Sequence, residues 1–223
     1  VWGMQQGLLQ QNLSVKDLEK KDLAERIQFL GQAYVAGDQA FETGSAKEDI
    51  EALNVKLFAK DKEVKDLYEK GRKWSLEYFE RIYKRLGTTF EGYYFESEVG
   101  KVGEQLVEEG LKKGIFEESQ GAVIFPGEKH GLHNRVFLTS KGLPTYETKE
   151  MGLAPTKYKD FKYDLSLIIT GNEITDYFKV LLAALKEMYP ELAEKTKHLS
   201  HGMVRFPEGK MSSRTGNVVT GEQ

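Results

Sequence analysis

The run Tyr163-Asp164-Leu165-Ser166-Leu167-Ile168-Ile169-Thr170-Gly171 constrains this chain more than any other stretch. A continuous apolar segment of this kind, closed by a glycine, reads as a strand buried on both faces of a parallel sheet. Behind Asn172-Glu173, the residues Phe178, Leu181, Leu182, Leu185 and Met188 recur at helical spacing until Tyr189-Pro190 stops them. A second apolar approach then leads through Met203 and Val204 to Phe206. Strand, short turn, helix, strand is a parallel α/β unit. Ligands of such sheets bind at the carboxyl ends of the strands, which sets Gly171-Asn172-Glu173 and the loop after Phe206 on one rim.

That loop carries the densest chemistry in the chain: Pro207-Glu208-Gly209, then Lys210, Ser212, Ser213 and Arg214, then Gly216-Asn217. Glycines at both ends allow close backbone approach to a ligand. The serine hydroxyls can donate to anionic oxygens, Lys210 brings a point charge on a flexible stem, and Arg214 offers a planar fork. Such a set holds anions. A surface turn of the same composition would be merely solvated, and composition alone does not separate the two.

Upstream, residues 1–87 read as mainly helical. Ser14 can cap VKDLEKKDLAERIQFL, with Asp17 in the acidic position of a capping box. Gly37 to Gly44 reads as a loop. A long second helix is expected from about Ser45 to Leu86, weakened near Gly71. Its mixed charges are the pattern of a solvated face. The sharper alternative is an RNA-backbone surface through Lys70, Arg72, Lys73, Arg81, Lys84 and Arg85, with Trp74 or Tyr78 beside it.

Residues 88–142 turn to short glycine-punctuated segments. Strands are expected at Tyr93-Phe95, Ile115-Glu118, Ala122-Phe125 and Val136-Leu138, with a helix from Val99 to Lys112 ended by Gly114, giving a small α+β insertion. Glu96-Ser97-Glu98 reads as an exposed cap rather than an acid/base pair. His130 with His133, and His198 with His201, lack a third ligand, so no metal site is expected. Residues 143–223 complete the α/β part.

The totals set outer bounds. At 223 residues and a net charge of -3, a nucleic-acid partner would have to meet a local basic patch, not the average charge. Cysteine is absent, which excludes disulfides and thiolate-bound zinc and fits a cytoplasmic setting. No apolar run is long enough to span a bilayer, so a soluble protein without a membrane partner is expected. Val1-Trp2-Gly3 lacks an initiator methionine, and an excerpt of a longer protein is expected.

The string GKMSSRTGN resembles the KMSKS loop of class I aminoacyl-tRNA synthetases, with Lys210 at the first lysine position and Ser213 where the second usually stands. Gly142-Leu143-Pro144-Thr145-Tyr146 through Ala154, then Ile169-Thr170-Gly171-Asn172-Glu173, then Lys197 to Met203 follow in the order found in arginyl-tRNA synthetases. Class I lysyl-tRNA synthetase is the nearest rival, and a synthetase-like RNA-binding or interaction module the non-enzymatic one.

The resemblance implies a Rossmann-like nucleotide fold whose second half is residues 143–223. It implies ATP-dependent activation of arginine, Mg²⁺ on the triphosphate, transfer to tRNA-Arg, and a monomeric full-length protein. Carried over by position, Tyr146 and Glu150 would bind the arginine side chain, Glu150 standing where the family usually has aspartate. Ile174 replaces a frequent glutamine, and Glu173 beside it would serve instead. Gly202, Met203, Val204, Gly209 and Lys210 would hold ATP, with Lys210, Ser212, Ser213 and Arg214 stabilising charge on the pyrophosphate side. The family's HIGH-type histidine motif does not occur in the sequence, and its anticodon-binding helices have no counterpart in it. The chain alone is therefore expected not to complete aminoacylation.

Overall fold

A computed structural model describes residues 1–203, 205–206 and 209–210, the last four as backbone. The described chain falls into two compact units, Val1–Glu91 with the residues described after Met203, and Gly92–Met203.

The first unit is helical: α1 (Trp2–Gln10), α2 (Val15–Lys20), α3 (Leu23–Glu42), α4 (Lys47–Phe58) and α5 (Lys62–Leu86). The capping box at Ser14 forms as the sequence indicates, Ser14 Oγ and Asp17 exchanging bonds across the first turn of α2, and Asp22 with Glu25 repeats it on α3. Gly37 to Gly44 is not a loop; α3 runs to Glu42, and Ala33 on its inner face meets the backbone of Gly3. The long helix expected from Ser45 breaks near Lys60, which takes φ 57°, and not at Gly71. Gly71 lies buried within α5, where an added Cβ would sit 3.4 Å from the Met4 side chain, so its small size serves packing.

The core of this unit gathers Met4, Leu18, Leu23, Phe29, Leu67 and Trp74. Trp74 is therefore a core residue and not a partner-facing one. Lys70 is paired with Glu19 at 2.5 Å, and the Arg72 guanidinium lies 5.6 Å from the Tyr68 ring. A pair of two-residue strands, Arg205–Phe206 and Gly209–Lys210, is antiparallel, with Arg205 opposite Lys210.

The second unit opens with α6 (Glu96–Lys112), continues into an antiparallel sheet β1-β2-β3 (Glu117–Ser119, Ala122–Phe125, Arg135–Leu138), and then alternates: α7 (Tyr146–Asp160), β4 (Ser166–Gly171), α8 (Thr175–Met188), α9 (Pro190–Lys195) and β5 (Thr196–His201). Tyr93-Phe95 forms no strand; Phe95 is the N-cap of α6, and Glu96 and Glu98 fall in the first helical turn, where carboxylates complement the helix dipole.

β4 and β5 pair in parallel, Ser166 opposite Thr196 through Gly171 opposite His201, with α8 and α9 in the crossover. The second parallel strand is thus Thr196–His201 and not the apolar run through Met203 to Phe206, of which Arg205–Phe206 pairs antiparallel with Gly209–Lys210. The sequence reading of β4 as buried on both faces is corrected. Only alternate residues turn inward, and Leu165, Leu167 and Ile169 stay exposed, Ile169 at 65%. The inward side packs on α8, whose Phe178, Leu181, Ala184 and Leu185 join Phe116, Phe125, Phe137 and Met151 in one core.

Helices α6 and α7 approach at backbone distance. A Cβ on Gly103 would fall 1.8 Å from the Thr148 carbonyl oxygen, and one on Gly152 would fall 2.2 Å from that of Val99. Only glycine permits so close a crossing. This contact fixes the height of α7, which carries two residues singled out by the sequence. Among the described residues, no helix is long and apolar enough to cross a membrane.

Candidate active site

Helix α7 begins where Thr145 ties the chain back to β3. The Thr145 N–H donates to the Phe137 carbonyl at 3.0 Å, and its hydroxyl reaches the Val136 carbonyl at 2.9 Å. The buried Thr148 hydroxyl adds a bond to the same Phe137 carbonyl. With its first turn anchored, α7 sets Tyr146 and Glu150 one turn apart on one side. Tyr146 is 67% exposed, and the Lys149 ammonium lies 5.0 Å from its ring centre while also pairing with Glu96 at 2.6 Å.

Glu150 stands in a desolvated environment. Desolvation raises its pKa above the usual 4.5, opposed by the charge of Lys157 and reinforced by Glu96. Among the described residues its carboxylate takes no hydrogen bond. Lys157, two turns further along α7, is itself pushed down by desolvation; its ammonium donates to Ser166 Oγ at 2.9 Å. Glu150 and Lys157 line one narrow cavity with Ile168, Leu181, Leu185 and Thr196. A desolvated carboxylate with open acceptor sites is what a planar cation with several donors requires.

Three residues that sequence reasoning missed complete this region. Glu147 is buried at 7% exposure and accepts a bond from Arg135 of β3, Nη1 to Oε1 at 3.0 Å. The Arg135 guanidinium carbon lies 5.4 Å from the ring centre of Tyr177, in the first turn of α8, and the buried Arg135 Nε has no partner among the described residues. Tyr177 meets Phe178 edge-on at 4.9 Å. Burial and the charges of Glu150 and Glu147 drive its phenol far above the usual 10. An arginine in a half-buried strand facing a glutamate twelve residues on gives no local periodic signal. Only the fold brings them together.

At the carboxyl ends of the parallel strands, Gly171 and Met203 touch; an added Cβ on Gly171 would fall 2.4 Å from the Met203 sulfur. Gly202 and Met203 are exposed there, and Glu173 sits in the short helical turn Asn172–Ile174 that follows β4. His198 is a packing residue, stacked on Phe178 at 4.0 Å and bonded to Thr170 Oγ1 at 2.7 Å. His201 Nδ1 lies 2.7 Å from the Gly202 carbonyl, and His130 stacks on Phe125.

The structure thus gathers Tyr146 with Glu150 on α7, and Glu173 with Gly202 and Met203 at the strand ends. Gly209 and Lys210 are described as strand backbone only. Val204, Ser212, Ser213 and Arg214 lie outside the described residues. A larger cavity of about 500 Å³ in the helical unit, lined by Trp2, Gln6, Phe29 and Gln32 among others, is not lined by Tyr146, Glu150, Glu173, Gly202 or Met203.

The family model described as tRNA synthetases class I (R), catalytic domain, matches residues 1–223. The arginine–tRNA ligase of Treponema denticola is 36% identical over 195 residues, 86% of this chain and 33% of that protein. That of Amoebophilus asiaticus is 34% identical over 201 residues, 90% of this chain and 33% of that protein. The chain therefore spans about a third of the length of these relatives. Among solved structures, the Thermus thermophilus arginyl-tRNA synthetase superposes with a TM-score of 0.61 at 19% identity, covering 94% of this chain and 41% of that one. The Plasmodium falciparum arginyl-tRNA synthetase gives 0.60 at 16% identity, covering 72% and 28%. At these identities the structural likeness speaks for the fold alone.

Proposed function

We propose, because the chain belongs to the class I tRNA synthetases (R) through their catalytic domain, that it forms part of an arginine–tRNA ligase, activating arginine with ATP and passing it to tRNA-Arg. The observation that carries the substrate is Glu150, a desolvated carboxylate without a hydrogen-bond partner among the described residues, one turn from the exposed ring of Tyr146. The guanidinium would dock its paired N–H donors on Glu150 and lay its plane against Tyr146, while Glu173 would meet the substrate from the strand ends.

Class I activation is an in-line attack by the amino-acid carboxylate on the α-phosphate of ATP, with pyrophosphate leaving. This chain supplies position and charge for that step, and no covalent nucleophile is required. Backbone groups at Gly202, Met203 and Val204 would hold the adenine, and Gly209 would let the next strand approach the phosphates. Lys210, with Ser212, Ser213 and Arg214, would neutralise the charge that builds on the departing pyrophosphate. Mg²⁺ would travel on the triphosphate. Among the described residues no three His, Asp or Glu side chains gather to cage a metal. The protein would work in the cytoplasm, as a monomer.

The test is arginine-dependent ATP–pyrophosphate exchange by the protein carrying this chain, with and without tRNA, against Glu150→Gln and Lys210→Ala. Exchange specific to arginine and strongly weakened in both variants is expected. Exchange with lysine, or none with any amino acid, would overturn the reading in favour of a lysine enzyme or a non-catalytic module.

A further inference from the structure

Beyond the residues that resemblance assigns, the second unit contains a guanidinium site already filled by its own chain. Arg135 lies with its carbon 5.4 Å from the centre of the Tyr177 ring and one nitrogen 3.0 Å from Glu147 Oε1, while its buried Nε goes unpartnered among the described residues. Burying this pair costs desolvation on both partners, and an apolar pair would fill the space as well. The pair does, however, fix a ring. Tyr177 is held between the guanidinium of Arg135 and the edge of Phe178, which in turn stacks on His198, bonded to Thr170 near the end of β4.

The place where that ring is fixed bears on Glu150. On α8, Tyr177 stands one turn before Leu181, and Leu181 lines the same narrow cavity as Glu150. On α7, Glu147 stands three residues before Glu150, on the same side of the helix. Tyr177 is therefore joined to the Glu150 side of α7 through Arg135–Glu147, and stands one turn from Leu181 on α8. The negative charges of Glu150 and Glu147 both act on its phenol, and among the described residues the phenol oxygen makes no hydrogen bond.

We propose that Tyr177 is a further substrate-binding residue, its phenol completing with Glu150 the pocket for a guanidinium-bearing amino acid, and that Arg135 is the positioning residue that holds it. The phenol oxygen accepts from the guanidinium on the side away from Glu150. Neutralising Glu147 is the second consequence of Arg135: it leaves Glu150 as the acceptor not already committed to a cation by direct contact. This rests on the reading of Glu150 as the arginine site.

Steady-state exchange kinetics on the protein carrying this chain test it, with Tyr177→Phe, Arg135→Lys and Glu150→Gln measured together. Tyr177→Phe removes one oxygen and keeps the packing. It is expected to raise the KM for arginine about five- to tenfold, the loss of roughly one hydrogen bond, with kcat and the KM for ATP within twofold. Arg135→Lys keeps the charge near Glu147 but not the planar fork over the ring, and is expected to raise the arginine KM in the same sense. If Glu150→Gln raises the arginine KM while Tyr177→Phe leaves it unchanged, the proposal fails and the reading of Glu150 stands. If neither variant moves it, both fail. A Tyr177→Phe effect spread equally over the KM for arginine and for ATP would mark a merely structural role and would also overturn it.

Discussion

Replacing Gly103 by alanine tests whether backbone contact between α6 and α7 sets the position of the site. The new Cβ would fall 1.8 Å from the Thr148 carbonyl oxygen and 2.7 Å from its carbon, both backbone atoms with no rotamer to yield. Carbon and carbonyl oxygen settle at about 3.3 Å, so the helices would have to part by about 1.5 Å. Alanine returns roughly 1 kcal/mol of helix propensity relative to glycine. Overpacking against rigid backbone costs about 3 kcal/mol or more, since no side-chain motion relieves it. The net expectation is a loss of about 2 kcal/mol, or a melting temperature lower by about 5–10 °C. Gly100, one turn earlier on α6, supplies the control. Its added Cβ would meet only the Lys149 and Pro144 side chains at 3.7 Å, an ordinary contact. Gly100→Ala should therefore melt at or slightly above the parent. Circular dichroism melts of the three proteins decide the matter. A Gly103→Ala protein as stable as the parent, or a Gly100→Ala protein equally damaged, would show that the crossing is not held at backbone distance.

The remaining predictions concern the site. Glu150→Gln should raise the arginine KM by roughly ten- to a hundredfold, the loss of a charged acceptor, read in exchange kinetics. The same substitution should stabilise the ligand-free protein at neutral pH. Because burial raises the Glu150 pKa in the fold, its contribution to stability is fully present below the ordinary 4.5 and is lost as pH rises through the raised value. The glutamine variant lacks that loss, so urea midpoints of the two proteins should meet near pH 4 and diverge above it. A constant offset across that range would refute the assignment of burial as the cause. Lys210→Ala should lower kcat by about 10²–10³ with a smaller change in the arginine KM, measured in the same exchange assay.

Much of the frame was legible from local chemistry. The capping box at Ser14 and Asp17 needs only neighbours within one turn, so the sequence displays it whole. The first strand and the helix of the parallel unit were legible for a related reason: the apolar run to Gly171, the helical spacing from Phe178 to Met188 and the stop at Pro190 are each written over consecutive residues. Its second strand was not: Thr196–His201 carries no apolar run, and the run through Met203 to Phe206 does not pair with β4. Tyr146 and Glu150 could be singled out because they share one short motif, and the structure puts both on α7, a turn apart.

The tertiary structure decided what depends on residues distant in the chain. Gly71 reads as a helix breaker by its own propensity, yet Met4 and Leu30 crowd it, and packing there requires the missing Cβ. The break came at Lys60 instead. Leu167 and Ile169 read as fully buried, but whether a strand face is covered depends on what the rest of the chain lays against it, and these two remain open. The pairing of Arg135 with Glu147, and the hold on Tyr177 that follows, joins a strand to two helices; side chains of that kind are unremarkable singly, and their charge becomes informative only when folding removes the water around them. Sequence alone thus determined the elements whose signals are local, the capped helices and the strand and helix on either side of Gly171-Asn172-Glu173. Folding determined which carboxylate stays desolvated and open, because burial and pairing are properties of the assembled core and not of any segment within it.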